Sequence, residues 1–387
     1  MSFPFDQLRR RPDAEGEDLV AADAADRLIL DESAAACHNA ADGEIVVIGD
    51  THGALALATA FEGASGVRVH QDALVGERAL ALNAAALRLT DRVSSFPLDA
   101  DLLRGARVVL MRLPRSNDAL RDVAGMIAAH AHPEVTVYAG GRLKYMSVAM
   151  NAVLGQYFDT VDVTHARQKS RVLVARGPHD GAEPIPAAAR IADLATGLGP
   201  DRARGLEVRA FGGAFAGARL DIGTRALLSA LDAADAPSAG GTAEDPWIDL
   251  AAGTGIVAAW LALRHPAAHV YASDQSAVAT ASARATVNAN GIADRVHVAR
   301  ADGLEERADA SASFIALNPP FHSAAAVTTA IAERLFIDAG RVLRPGGELW
   351  CVWNSALRYR PALERYIGPT RQVSRDPKFT VTVSTKR

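Results

Sequence analysis

Short apolar runs alternate with longer stretches whose apolar residues return at helical spacing, and the alternation occurs twice along the chain. In the first stretch, residues 44–48, 67–70, 107–111 and 135–139 are compact and rich in valine and isoleucine, which predicts strands. Residues 23–30, 54–61, 79–87, 117–130 and 145–154 predict the helices around them, and 171–175 predicts a closing edge strand. In the second stretch, strands are predicted at 206–210, 247–250, 269–272, 296–299, 313–317, 348–353 and from 379, with helices at 225–231, 256–263, 277–290, 324–343 and 360–367. Strands separated by helices of this length pair in parallel beneath helices on both faces. The fold class is α/β.

The two stretches read as diverged copies offset by about 200 residues: 46–53 falls near 247–255, Asp72 near Asp274, and 108–114 against 313–319. That alignment sets Leu113 opposite Asn318, so the first copy lacks the amide, the second proline and the aromatic of Asn318-Pro319-Pro320-Phe321. Residues 177–204 are rich in Gly, Pro, Ala and Asp with a short helical pattern at 187–194, which predicts a linker. The expected domains are 1–178 and 205–387, joined by 179–204.

A length of 387 residues with 49% hydrophobic content suits two cores. Lys+Arg 41 against Asp+Glu 45 gives a net charge of −4, so contact with nucleic acid must use local patches. Two such patches are present. One gathers Arg358, Arg360, Arg365, Arg371, Arg375, Lys378, Lys386 and Arg387; the other gathers Arg112, Arg115, Arg142, Lys144, Arg167, Lys169 and Arg171 near predicted strand ends. Either patch reads equally as a solvated face. The two cysteines, Cys37 and Cys351, exclude a disulfide framework, and His265, His269 and His297 lack ligand spacing, so no metal is expected. Residues 1–11 carry charges where a signal peptide needs an apolar core, and no apolar run is long enough to span a bilayer; a soluble cytoplasmic protein is expected.

Candidate chemistry gathers in the second copy. Asp249-Leu250-Ala251-Ala252-Gly253-Thr254-Gly255 leaves a strand and opens a helix, where glycines let backbone approach a ligand; Ala251 stands where the usual run has its first glycine. Asp274, followed by Gln275, ends the next strand and is placed to accept from ribose hydroxyls. Asp302, followed by Gly303, ends the third strand and is placed to accept from an adenine amino group. Each acid alone also reads as a helix cap. Together beside the glycine turn they point to a nucleoside-containing cofactor. Asn318-Pro319-Pro320-Phe321 closes the fourth strand and offers an amide, a carbonyl with its backbone fixed by proline, and a flat ring. A dinucleotide enzyme would share the glycine turn and acids but would not need this last segment. His322 reads as a polar helix-entry residue, and Cys351, inside an apolar strand, as an inert thiol.

With these motifs the second half resembles class I S-adenosylmethionine-dependent methyltransferases, Asn318 to Phe321 matching the motif of enzymes that methylate exocyclic or amide nitrogens. Two tandem halves, Phe215, Leu220-Asp221-Ile222-Gly223, Asn318 to His322 and Arg344 to Leu349 together resemble the bacterial ribosomal RNA guanine-N2 methyltransferases. Gly49 to Leu55, Val108 to Pro114 and Ala139-Gly140-Gly141 resemble the large-subunit (23S) members.

The resemblance implies two tandem Rossmann-like methyltransferase domains, the first degenerate, with S-adenosyl-L-methionine as cofactor and ribosomal RNA or a ribosomal subunit as partner. Transfer from a sulfonium needs alignment rather than a metal or a covalent intermediate. The Asn318 side-chain oxygen and the Pro319 carbonyl would accept the two hydrogens of guanine N2, and Phe321 would stack on the extruded base. Phe215 and Asp221 would edge the cofactor pocket, although Asp221 also reads as a helix cap. Methylation of adenine N6 or of a protein glutamine stays open on the same motif, as does a non-catalytic RNA-binding or ribosome-assembly factor, for which Ala251 is the one hint.

Overall fold

The structure, a computed structural model, describes residues 2–16, 19–192, 205–320 and 325–387, the side chains of 325–329 excepted. It falls into two compact units, Met1–Ile185 with Phe211–Gly213, and Pro186–Ala210 with Ala214–Arg387.

The first unit runs α1 (Ala24–Asn39), β1 (Ile45–Ile48), α2 (Ala54–Phe61), β2 (Val67–His70), α3 (Leu74–Leu87), β3 (Val93–Ser95), α4 (Ala100–Leu103), β4 (Val108–Arg112), α5 (Asn117–His130), β5 (Thr136–Arg142), α6 (Val148–Leu154), β6 (Phe158–Val163) and β7 (Ser170–Pro178). The sheet order is β3-β2-β1-β4-β5-β7-β6, parallel as far as β5 and antiparallel for the last two strands. Period-2 alternation sends Val47, Val69 and Leu110 to one core and Val46, Val109 and Val137 to the other, so continuous apolar strands feed both faces. Asp23 starts α1 by accepting from Ala25 and Asp26 N–H, while Asp26 accepts from the Asp23 N–H in return.

The second unit opens with β8 (Ala187–Ile191) and β9 (Leu206–Ala210), then α7 (Ile222–Ala233), β10 (Trp247–Leu250), α8 (Ile256–Arg264), β11 (Val270–Asp274), α9 (Ala277–Ala289), β12 (Val296–Arg300), β13 (Ala312–Leu317), α10 (Ala325–Val342), β14 (Leu343–Asn354), α11 (Arg360–Tyr366), β15 (Thr370–Arg375) and β16 (Phe379–Thr385). Its main sheet, β12-β11-β10-β13-β14-β16-β15, repeats the first strand for strand. The β8–β9 ladder is antiparallel, and β9 is held along its other side by α9, where Thr286 and Asn290 exchange hydrogen bonds with the backbone of Arg209 and Glu207.

Several expectations change. Residues 187–191, read as helical from their alanines, form β8, because pairing with β9 outweighs a weak local propensity. The rest of that stretch, 193–204, lies outside the described residues. The strand at 171–175 lies inside the sheet, with β6 beyond it at the edge. The helix expected from 145 begins at Val148, after a single 3-10 turn at Leu143–Tyr145.

The ladders also shift the alignment of the two copies. Ile48 pairs with Met111 as Leu250 pairs with Leu317, and Gly53 and Gly255 each sit five residues on, as the left-handed N-caps of α2 and α8. Arg112, not Leu113, therefore matches Asn318, and Pro114 matches Pro320. His70 and Ser273 are likewise the partners of Ile48 and Leu250 in the second strands, so Gln71, not Asp72, stands at the place of Asp274. The first copy has Arg112, Leu113 and Gln71 where the second has Asn318, Pro319 and Asp274.

Candidate active site

The glycine turn after β10 takes left-handed backbone at three alternate residues, Ala251 (φ 59°), Gly253 (φ 55°) and Gly255 (φ 75°). Ala251 thus holds the conformation of the glycine it replaces, at the strain a Cβ carries in that region. A Cβ on Gly253 would meet nothing within 4 Å, whereas one on Gly255 would press on Ala283 of α9. One glycine leaves open space where a ligand can approach the backbone; the other lets two helices close together.

Asp249 lies beneath the turn, 3% exposed, and accepts from the Ala258 N–H of α8 at 2.9 Å. Burial, countered by that hydrogen bond and reinforced by the charge of Asp274, pushes its carboxyl up to about 7. Asp249 shapes the turn from below. Asp274 reaches back from the end of β11: Oδ2 accepts from Gly253 N–H at 2.9 Å and Oδ1 from Ser276 N–H at 2.9 Å, fixing the turn and the entry to α9 together. Each carboxylate oxygen has capacity for more than one donor. Beside it the Gln275 side-chain oxygen is buried with no partner among the described residues.

Asp302 pairs with Arg334 of α10, so the acid expected to face adenine is also an ion-pair anchor. Gly303 (φ 64°) makes a tight turn against Asp338, whose Oδ2 accepts from the Leu304 N–H at 2.6 Å.

Asn318 follows the last residue of β13. Its Nδ2 donates to Thr224 Oγ1 at 3.0 Å and to Asp221 Oδ2 at 3.4 Å. Asp221 is itself the N-cap of α7, accepting from Gly223 N–H at 2.8 Å and Thr224 N–H at 3.3 Å. The cap and the tether on the amide are one feature: the residue that starts α7 also orients the Asn318 side chain. With both hydrogens of Nδ2 held by α7, the amide oxygen is fixed in place, buried and without a partner among the described residues. A buried orphan acceptor has a cost that a ligand N–H would remove. Gly223 makes room, since a Cβ there would stand 3.4 Å from Asn318 Oδ1 and 3.3 Å from the ring of Phe379.

Pro319 is buried and Pro320 exposed, while Phe321 and His322 lie outside the described residues. Phe215 is 48% exposed on the loop before α7. Cys351 is fully buried in β14, and burial alone drives its thiol far above the usual range, which fits an inert side chain. Among the described residues no three His, Cys, Asp or Glu side chains are grouped to hold a metal, and no helix is long and apolar enough to cross a membrane. Sequence reading missed Thr224, and named Gly223 only within the stretch Leu220 to Gly223, without a role. The signal was present in the N-cap spacing, Asp221 followed three residues later by a hydroxyl residue.

Residues 205–383 match the methyltransferase small domain family, and residues 2–179 match the RLMG N-terminal domain family. The chain is 34% identical to the ribosomal RNA large subunit methyltransferase G of Streptomyces coelicolor over 100% of both chains. It is 32% identical to that of Pseudomonas entomophila, covering 97% of this chain and 96% of the relative. Among solved structures, the T. thermophilus 16S rRNA N2 methyltransferase RsmC, in complex with AdoMet and guanosine, superposes with a TM-score of 0.72 at 20% identity, over 94% of this chain and 92% of that one. That likeness gives the fold: two Rossmann-like methyltransferase folds in tandem.

Proposed function

Because the chain belongs to the ribosomal RNA large subunit methyltransferase G family, we propose that it transfers a methyl group from S-adenosyl-L-methionine to the exocyclic N2 of a guanine in large-subunit ribosomal RNA. The orphan oxygen of Asn318 carries this reading. An amide whose nitrogen is tied to Asp221 and Thr224 presents an acceptor and nothing else, and the exocyclic amine of guanine is a donor.

The open face of Gly253 and the acceptors Asp274 and Gln275 fit a nucleoside bearing ribose hydroxyls. S-adenosyl-L-methionine supplies an electrophilic methyl on a good leaving group. The side chains supply orientation and charge: Asn318 Oδ1 accepts one amine hydrogen, the Pro319 carbonyl the other, and both stabilise the positive charge that grows on nitrogen as its lone pair leaves conjugation. Phe321 stacks on the flipped base. Phe215, Asp221 and Gly255 border the cofactor, with Asp302 and Gly303 toward its adenine. The second unit, which takes in β8, is the catalytic domain, and the first is a degenerate methyltransferase-like domain that recognises RNA or supports the fold. The partner is 23S RNA or the large subunit, in the cytoplasm.

The test is to supply labelled S-adenosyl-L-methionine with 23S RNA, 16S RNA, large subunits, DNA and total protein, and to digest the labelled product. N2-methylguanosine from 23S RNA or large subunits is expected. Asn318→Ala should lose turnover by about two to three orders of magnitude while calorimetry shows cofactor affinity little changed. Label in N6-methyladenosine or in protein glutamine would replace this reading, and absence of cofactor binding would point to a non-catalytic factor.

A further inference from the structure

The first sheet ends in a surface that the proposed chemistry does not use. Three of the large apolar side chains exposed on this protein fall within six residues of one another, Leu143 (38%), Tyr145 (44%) and Val148 (87%). They follow β5 at the carboxyl end of the parallel strands, the end at which open α/β sheets place ligands.

Cations surround the exposed ring. The Arg115 guanidinium, just past β4, lies 4.6 Å from the Tyr145 ring centre, and Lys144 Nζ lies 4.6 Å from it. Strand pairing brings more: β7 enters the sheet at this same end, with Arg171 opposite Gly141 and Ser170 opposite Arg142, and Leu143 N–H donates to the Lys169 carbonyl. Arg171 carries a buried Nε without a partner among the described residues. Arg115, Arg142, Lys144, Lys169 and Arg171 make no ion pair with a carboxylate among the described residues, whereas nearby Arg167 is held by Asp31 and Glu32. The Lys144 ammonium, with the charges of Arg115 and Arg142, draws the phenol below its ordinary value.

Uncompensated cations around an exposed ring would repel one another unless a polyanion completed the surface. The ring and the guanidinium plane each accept a stacked base, and a double helix offers neither an open base face nor a reason for the exposed ring. We propose that this surface binds single-stranded RNA, with a base stacked on the Arg115–Tyr145 pair and the flanking phosphates on Lys144, Lys169 and Arg171. The inference rests on the RNA-methyltransferase reading and gives the first unit a defined task in it: holding an unpaired stretch of the substrate.

The experiment uses the full chain and a short fluorescein-labelled single strand of 23S sequence, with a duplex of equal length for comparison. Tyr145→Ala should weaken single-strand binding about tenfold and raise KM for RNA by a similar factor, leaving kcat and cofactor affinity unchanged. Tyr145→Phe should restore both. Lys169→Ala should instead reduce the slope of log affinity against log salt by about one. Unchanged single-strand affinity in Tyr145→Ala, equal losses for duplex and single strand, or failure of Tyr145→Phe to rescue would each overturn the inference. Wild-type cofactor binding and RNA methylation are measured first, so failure there falls on the functional reading, while failure of the variants alone falls on this surface.

Discussion

Arg112 and Asn318 occupy the same place in their two sheets, one residue beyond the rungs Ile48–Met111 and Leu250–Leu317. Each is held by the N-terminus of the helix that precedes the first main-sheet strand. Asn318 donates to Asp221 and Thr224 of α7, whereas Arg112 bonds Asp23 and Asp26 of α1 at 2.7 Å each. In both units the partners are the helix N-cap and the residue three further on. The duplicate kept the socket and replaced its occupant. Where the second unit presents an unfilled acceptor, the first satisfies its acids with its own cation.

Removing that cation should expose the cost. In Arg112→Ala the carboxylates of Asp23 and Asp26 remain half or more buried, and a loss of about 3 kcal/mol is expected. Burial already pushes Asp26 up to about 6 despite Arg112. A carboxyl with a folded value above its unfolded one keeps its proton longer in the native state, so its contribution is lost as pH rises from about 4 through 6. Without Arg112 that rise is steeper. Urea unfolding should therefore show a larger penalty at pH 8 than at pH 5, and equal penalties would contradict the arrangement.

Gly223→Ala should separate stability from activity. The position lies in the first turn of α7, where alanine is favoured over glycine by up to about 1 kcal/mol, but the new methyl would also stand 3.2 Å from Asp221 Oδ1 and 3.3 Å from the Phe379 ring, so the melting temperature should stay near that of the wild type. The new methyl would stand 3.4 Å from Asn318 Oδ1. Methylation should fall by about tenfold with cofactor affinity preserved. A fully active variant would mean that the substrate amine does not approach that oxygen from the α7 side.

Asp249 offers a test at the glycine turn. Its carboxyl is raised from 3.8 to about 7, so the native state is stabilised relative to the unfolded chain at low pH and loses that advantage between about 4 and 7. Asp249→Asn keeps an acceptor for the Ala258 N–H and has no proton to lose. The wild-type melting temperature should fall relative to the variant across that interval and run parallel above it. Parallel curves throughout would show that Asp249 ionises normally.

At Ala251, glycine would adopt φ 59° without the Cβ penalty. Ala251→Gly should gain about 1 kcal/mol, reduced by the extra freedom of glycine in the unfolded chain, and should leave cofactor affinity intact. Weaker cofactor binding would show that the methyl itself packs on the ligand.

Most of the architecture was legible because the central strands are apolar on both sides and the helices between them keep their period. What escaped lies at edges and in registers. β6 and β15 alternate too few apolar residues to stand out, and each is defined by the antiparallel partner that covers it. β8 has an alanine-rich sequence that favours helix until β9 pairs with it. The one-residue slip that hid Arg112 behind Leu113 has the same origin, since loops of unequal length separate the copies and only ladder partners fix the match. Of the site, Asn318 and the acids were readable as strand-end polar residues. The aim of the amide was not, because it depends on Thr224, 94 positions away in sequence.

The tether on Asn318 has one more consequence. An asparagine normally presents either a donor or an acceptor by turning its amide over, but here the turned form would set an oxygen against the Asp221 carboxylate. The amide therefore has a fixed polarity and favours a purine that carries a donor at this place. Hypoxanthine, with hydrogen where guanine has its amine, would leave the buried oxygen unanswered at a cost of about 1–3 kcal/mol. RNA carrying inosine at the target should compete with the guanine substrate only about ten- to a hundredfold more weakly, a discrimination written into the start of a helix rather than into the base-contacting residue alone.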